Sequence, residues 1–126
     1  MIPNNTHLKV LDSAARTATN NSGDLKNMFA RGVLVTLDVT AATGAPSIVL
    51  VIEAKDPVSE KYEVLLSATA VTAVGIHSYL VYPGAGAAAG DVTQVAGFPL
   101  SRTWRVRVTH ANADSITYSV GANLLI

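Results

Sequence analysis

The chain has 126 residues and contains no cysteine. This absence excludes a disulfide framework, a thiolate metal site and a cysteine nucleophile, and it leaves the redox compartment open. A domain of this length buries roughly two-thirds of the surface that its unfolded chain exposes. We therefore expect a chain that folds on a hydrophobic core without cross-links or metal ions.

Charged residues are also scarce. They make up 14% of the chain, and nine basic side chains balance nine acidic ones; about a quarter is usual for a globular protein. A protein that binds nucleic acid through its phosphates needs a surplus of lysine and arginine, so we expect no direct nucleic-acid partner. A net charge near zero favours association, which predicts a chain that works in contact with other proteins.

Long apolar runs are missing as well. The longest, Ile48–Ile52, has the length of a strand, whereas a membrane-spanning helix needs about 20 apolar residues. The first residues contain neither the basic nor the apolar segment of a signal peptide. We expect synthesis in the cytoplasm and no membrane partner.

The sequence is rich in the alternation of apolar and polar residues that is typical of half-buried strands. Three segments predict inward faces of this kind: Val33, Val35, Leu37 and Val39; Trp104, Val106 and Val108; and Ile116, Tyr118, Val120, Ala122 and Leu124. Ser47–Lys55 is apolar on both faces, which predicts a central strand or one with an external cover. Asp56–Lys61 predicts a hairpin connection to a strand that starts at Tyr62. The pattern predicts an all-β fold, specifically an antiparallel β-sandwich, jelly-roll-like, with about six to eight strands.

Other segments are less regular. We predict an extended arm or edge strand over residues 1–21, followed by a β-sandwich domain over residues 22–126. A short helix over Asp24–Arg31 is one alternative within that domain. Pro83–Pro99 is rich in glycine and alanine and predicts a long loop. The two last strands, joined by the turn at Asn112–Asp114, predict an antiparallel hairpin.

Catalytic patterns are absent from the sequence. The three histidines, His7, His77 and His110, have no second ligand at zinc spacing beside them. Ser101, His110 and Asp114 would form a triad only if the fold gathered them, and His110 and Asp114 are more simply solvated turn residues. We predict no enzyme, with no catalytic, cofactor-binding or metal-binding residue.

Five residues are candidates for a binding interface. Arg105 and Arg107 lie on one strand beside Trp104 and either contact a partner or pair with acids on adjacent strands. Tyr79, with Tyr82, is the aromatic candidate for a carbohydrate or receptor surface. Leu125 and Ile126 are apolar and either finish a core strand or dock on another chain.

The last two-thirds of the chain resembles small virion proteins of tailed bacteriophages. The resemblance lies in Arg102–His110, the Asn112 turn and Ser115–Gly121, and further in Arg31–Val33 and Lys55–Ser59. It implies a β-sandwich capsid decoration (cement) protein without a catalytic role. Such a protein would occur in the virion as a homo-oligomer that binds the major capsid protein and stabilises the shell. Two alternatives stay open, a tail or neck component and a carbohydrate- or receptor-binding β-sandwich.

Overall fold

The computed structural model describes residues 6–126, in which ten strands and no helix occur. Two of the strands have only two residues each. The strands are β1 (Thr6–Arg16), β2 (Asn20–Asn21), β3 (Leu25–Lys26), β4 (Gly32–Ala42), β5 (Ile48–Lys55), β6 (Tyr62–Ser67), β7 (Gly75–Val81), β8 (Val92–Ala96), β9 (Thr103–His110) and β10 (Ile116–Leu125). The described part of the chain therefore has no helix that could span a membrane.

The strands form two sheets. Sheet A has the order β1-β10-β4-β7-β8, and sheet B has the order β2-β9-β5-β6, with β3 also paired to β9. The β7–β8 pair is parallel, and the other paired strands are antiparallel. The prediction of an all-β, sandwich-like fold with mainly antiparallel pairing is confirmed.

One hydrophobic core lies between the sheets. The inward faces predicted for β4, β9 and β10 are all buried, from fully buried Trp104 to Leu124 at 9% exposure. Strand β5, which is apolar on both faces, lies between β9 and β6, as expected for an interior strand. Burial of an aliphatic or aromatic side chain stabilises a fold by roughly 1.5–3 kcal/mol, so these residues account for much of the stability.

The predicted hairpin of the last two strands is wrong. Strand β9 pairs with β5, β2 and β3 in sheet B, whereas β10 pairs with β1 and β4 in sheet A. The turn between them crosses from one sheet to the other, with the Ala111 N–H donating to the Ser47 carbonyl. Both arrangements turn the alternate residues of the two strands toward one core, so period-2 alternation does not distinguish them.

Two other segments also differ from the predictions. Asp24–Arg31 is not a helix, because β3 lies within it and a turn follows at Asn27–Ala30. Pro83–Pro99 is not a loop throughout, because it contains β8, which pairs with β7. The side chains of β8 are half-buried or exposed, which explains why the strand has little apolar alternation.

The segment predicted as an arm or edge strand, residues 1–21, contains β1 and β2. Strand β1 is antiparallel to β10 at the edge of sheet A, with register irregularities between Lys9 and Leu11 and between Leu11 and Ala14. Irregularities of this kind twist an exposed edge and discourage further strand pairing. Residues 1–5 of the segment lie outside the described residues.

Candidate interaction surface

An apolar groove of about 370 Å³ lies at one end of the sandwich. We call it the end groove. It is found where β1 begins, where β10 ends and where the turn after β3 crosses between the sheets. Its apolar lining consists of Leu8, Met28, Phe29, Ala30, Leu124 and Ile126. Met28 and Phe29 are 59% and 71% exposed, so two large apolar side chains stand in solvent beside a concave apolar surface.

Asn27 fixes the turn that holds these two side chains outward. Its amide nitrogen donates to the carbonyls of Ala30 (2.8 Å) and Leu100 (3.3 Å), and its amide oxygen accepts from the Ala30 N–H (2.9 Å). The Asn27 N–H donates to the Arg102 carbonyl. A buried side chain with this many bonds leaves the backbone little freedom. The exposure of Met28 and Phe29 therefore follows from a fixed turn.

The last two candidate residues of the sequence lie at the same end. Leu125 pairs with Gly32 of β4, its carbonyl accepts from the Arg31 N–H, and its side chain is half-buried. Ile126 lines the end groove and is 43% exposed. The Tyr82 hydroxyl donates to the Ile126 carbonyl at 3.1 Å. The structure thus brings Ile126 together with Met28 and Phe29, two residues that no sequence pattern marks as interface candidates.

Arg105 and Arg107 lie on the outer face of sheet B and share one carboxylate. Arg105 Nε is 2.9 Å from one oxygen of Glu53, and an Arg107 nitrogen is 3.3 Å from the other. Glu53 is a buried residue of β5 and lies directly opposite Arg105. These arginines therefore make the cross-strand pairs that were predicted as the alternative to an interface.

A second polar cluster extends across the same face. Lys55 Nζ lies 2.7 Å from an Asp24 oxygen, the Tyr62 hydroxyl donates to the other oxygen, and the Arg105 guanidinium stacks 3.5 Å from the Tyr62 ring centre. The bonds from Lys55 and Tyr62 lower the pKa of Asp24 below 3.8. The bond to Asp24 raises the pKa of both Lys55 and Tyr62. The cluster ties the segment before β3 to β5 and β6.

Tyr79 is not a surface residue, so its prediction as an interface residue is wrong. Its side chain points into the core, where it is 1% exposed, and burial raises its pKa to about 12. Within the described residues its hydroxyl has no hydrogen-bond partner. The sequence of β7 did not indicate which face is buried, and the structure buries Tyr79 and Val81 while leaving Ile76 68% exposed.

The three residues considered as a triad each have other partners. Ser101 Oγ donates to the Thr103 carbonyl, and an Asp114 oxygen accepts from the Ala45 N–H. The His110 ring is hydrogen-bonded to the Tyr118 hydroxyl at 2.9 Å. Burial, together with nearby Arg16, lowers the pKa of His110. Within residues 6–126 no group of three or more histidine or acidic side chains could hold a metal ion.

Comparisons with protein-family models, curated proteins and solved structures found no match to this chain. The end groove is the one candidate surface described above that combines exposed apolar side chains with concavity. Its sequence signal is the apolar stretch Met28-Phe29-Ala30 between two polar residues, Asn27 and Arg31. A short helix, the alternative that the sequence offers for this stretch, gives no reason to expect that both side chains are exposed.

Proposed function

We propose that this protein is a structural subunit that acts by binding other protein chains, as a capsid decoration (cement) protein of a tailed bacteriophage. The end groove carries the proposal, because large exposed apolar side chains beside a concave surface are typical of protein-binding sites. Phenylalanine and methionine are also enriched in the cores of protein interfaces. Under the proposal the partners are the major capsid protein and further copies of this chain, and the protein resides in the virion.

The strand order supports a jelly roll as the finer description of the fold. If β2 and β3 count as one interrupted strand and β8 as an addition, eight strands remain. When these eight strands are numbered along the chain, sheet A has the order 1-8-3-6 and sheet B has the order 2-7-4-5. This is the strand order of a jelly roll. Viral capsid proteins and lectins both use this architecture. That link is an analogy at the level of the fold, and it agrees with the phage-like residue pattern of β9 and β10.

The direct test adds the purified protein to expanded capsids that lack a decoration protein. We expect binding and a higher temperature of DNA release, because many weak contacts on a lattice add up. Phe29→Ser should weaken binding about tenfold or more, as expected for an exposed aromatic anchor. Ile76→Ser is the matched control, since Ile76 is similarly exposed and lies toward the opposite end of sheet A.

Two results would contradict this proposal. Capsids that are neither bound nor stabilised would exclude the cement role. Equal loss of binding in Phe29→Ser and Ile76→Ser would exclude the end groove as the site. A tail or neck component is the nearest alternative in the virion, and the number of copies per particle separates it from a protein that covers the shell.

A further inference from the structure

The hairpin between β5 and β6 carries the most exposed large apolar residue described in the chain. Val58, at its tip, is 91% exposed and has acidic residues on both sides, Asp56 and Glu60. Neither acid makes an ion pair within the described residues. Asp56 accepts hydrogen bonds from Ser59, and Lys55 and Lys61 flank the two acids in the sequence. We call Asp56–Glu60 the acidic tip.

The backbone of the acidic tip holds Glu60 in an unfavourable conformation. Glu60 has a φ of 61° and is the one residue other than glycine with positive φ in the described chain. Glycine or asparagine adopts this conformation at lower cost. A glutamate held there is an outlier of the kind that accumulates where a side chain has a function.

The surroundings of the end groove have the opposite charge. Lys26 lines the groove, Arg31 follows the lining residue Ala30, and the carbonyl of Arg102 accepts a bond from the lining residue Asn27. All three side chains are exposed, and none is ion-paired within residues 6–126. The groove therefore has one basic residue, Lys26, in its lining, and two more, Arg31 and Arg102, whose backbone is next to lining residues. This charge is complementary to an apolar side chain that has acids beside it.

The acidic tip and the end groove lie at the same end of the molecule. Lys26 lines the end groove and also a polar hollow whose lining includes Pro57 and Glu60 of the acidic tip, together with Asp24 and Lys55. Each copy thus presents a projecting tip next to a groove of the opposite character. Two copies that face each other across a two-fold axis can make the tip-to-groove contact twice, which is the arrangement of an isologous dimer.

We infer that a second copy of this chain occupies the end groove, with Val58 seated among Met28, Phe29 and Ile126 and with Glu60 opposite the basic residues. The inference rests on the proposed function, because it names a partner of the same surface. The two copies attract each other by charge before the apolar contact forms, so the contact should weaken as salt increases.

The test uses the full chain and benefits from its lack of cysteine. Val58→Cys and Phe29→Cys proteins are mixed under mild oxidation. The disulfide-linked dimers that contain one chain of each variant are then quantified by mass spectrometry. We expect the mixture to cross-link at least about tenfold faster than a mixture of Val74→Cys and Phe29→Cys. Val74 is the matched control, because it is an exposed valine next to the end of β7 that lies far from the groove.

Sedimentation of the cysteine-free protein gives an independent measure. Val58→Asp should weaken self-association about tenfold or more, because it places a carboxylate in an apolar contact. Glu60→Asn should do the same while it raises the stability of the monomer, because asparagine tolerates the positive φ. Glu60→Gln, which keeps the strain and removes the charge, should weaken association without that gain in stability.

The outcomes separate this inference from the proposed function. A protein that stays monomeric at high concentration, with equal cross-linking of Val58→Cys and Val74→Cys, overturns the self-contact. Capsid binding by such a monomer would leave the cement proposal intact. Self-association through the acidic tip without capsid binding would support the contact and contradict the cement role.

Discussion

At the scale of single residues, two core tyrosines provide a matched test of the hydrogen bonding. Tyr79 and Tyr118 are both at most 1% exposed, but only the Tyr118 hydroxyl has a partner, the His110 ring. A buried hydroxyl without a partner has lost its bonds to water, at a cost of roughly 1–3 kcal/mol. We expect Tyr79→Phe to raise the free energy of unfolding by about 1 kcal/mol and Tyr118→Phe to lower it by a similar amount. Urea denaturation checks both changes, and a loss of stability in Tyr79→Phe would mean that its hydroxyl is satisfied.

Single residues also show which side-chain contacts can be predicted from the sequence and which cannot. The sequence predicts, as one alternative, that Arg105 and Arg107 pair with acids on adjacent strands, and the structure identifies the acid as Glu53 of β5. The role of Asn27 was not predictable. Its partners, Ala30 and Leu100, include a residue far away in sequence, and no local pattern marks a side chain that bonds to distant carbonyls.

At the scale of the elements, the start of β4 depends on a glycine. A Cβ at Gly32 would collide with the Val81 carbonyl oxygen and would lie 2.9 Å from Tyr82 Cα. Because both atoms belong to the backbone of the neighbouring chain segment, relief requires β4 and β7 to separate. We expect Gly32→Ala to lower the free energy of unfolding by about 1–3 kcal/mol.

Gly121 in β10 is the control for that change. A Cβ there would have its nearest neighbour, the Leu8 carbonyl oxygen, at 3.9 Å, which is an ordinary contact distance. Gly121→Ala should be close to neutral or slightly stabilising. Thermal unfolding of the two variants measures both changes. An equal loss of stability in Gly32→Ala and Gly121→Ala would mean that the close backbone contact at Gly32 is not the cause.

Sheet B should also show a dependence on pH through Asp24. Its pKa is lowered in the folded state by bonds from Lys55 and Tyr62, so protonation favours the unfolded chain. The stability that it contributes is complete above its ordinary pKa of 3.8 and disappears as the pH falls below that value through the lowered pKa. We expect Asp24→Asn to be less stable than the parent at neutral pH, with the difference shrinking below pH 3.8. Urea denaturation at several pH values measures this difference, and a difference that stays constant would assign the loss to something other than the charge.

Individual strands were more predictable than their partners. Strands β4, β9 and β10 could be predicted because each alternates strongly, and the alternation reports which side chains are buried. Strand β5 could be predicted because it is a short apolar run on both faces, which is typical of an interior strand. The alternation does not indicate which sheet contains a strand. The sequence therefore predicts a hairpin at the place where the chain crosses from β9 in sheet B to β10 in sheet A. Strand β8 was missed because its parallel pairing with β7 at the sheet edge leaves its side chains half-buried or exposed.

At the scale of the whole molecule, the first strand, β1, and the last strand, β10, stabilise each other by pairing. Strand β1 pairs along nearly all of β10, and the Arg16 guanidinium donates to the Tyr118 carbonyl at 2.7 Å while it stacks on the Tyr118 ring. The groove proposed for binding lies where the first and last strands meet, with Leu8 from one and Leu124 from the other. A sequence pattern cannot reveal a surface of this kind, because residues more than a hundred positions apart build it.

The strongest test at this scale removes residues 1–16. Leu8, Val10 and Leu11 pack against the core, and β10 would lose the partner of its outer edge. At roughly 1 kcal/mol for each partly buried side chain, we expect a loss of about 3 kcal/mol or more in the free energy of unfolding, with faster hydrogen exchange of the β10 amides. Lys9→Ala is the control. Lys9 forms an ion pair with Asp12, but each of the two side chains is 77% exposed, so the pair contributes little to stability. If the truncated chain unfolds at the same denaturant concentration as the parent, β1 is a detachable arm, and the end groove cannot depend on it.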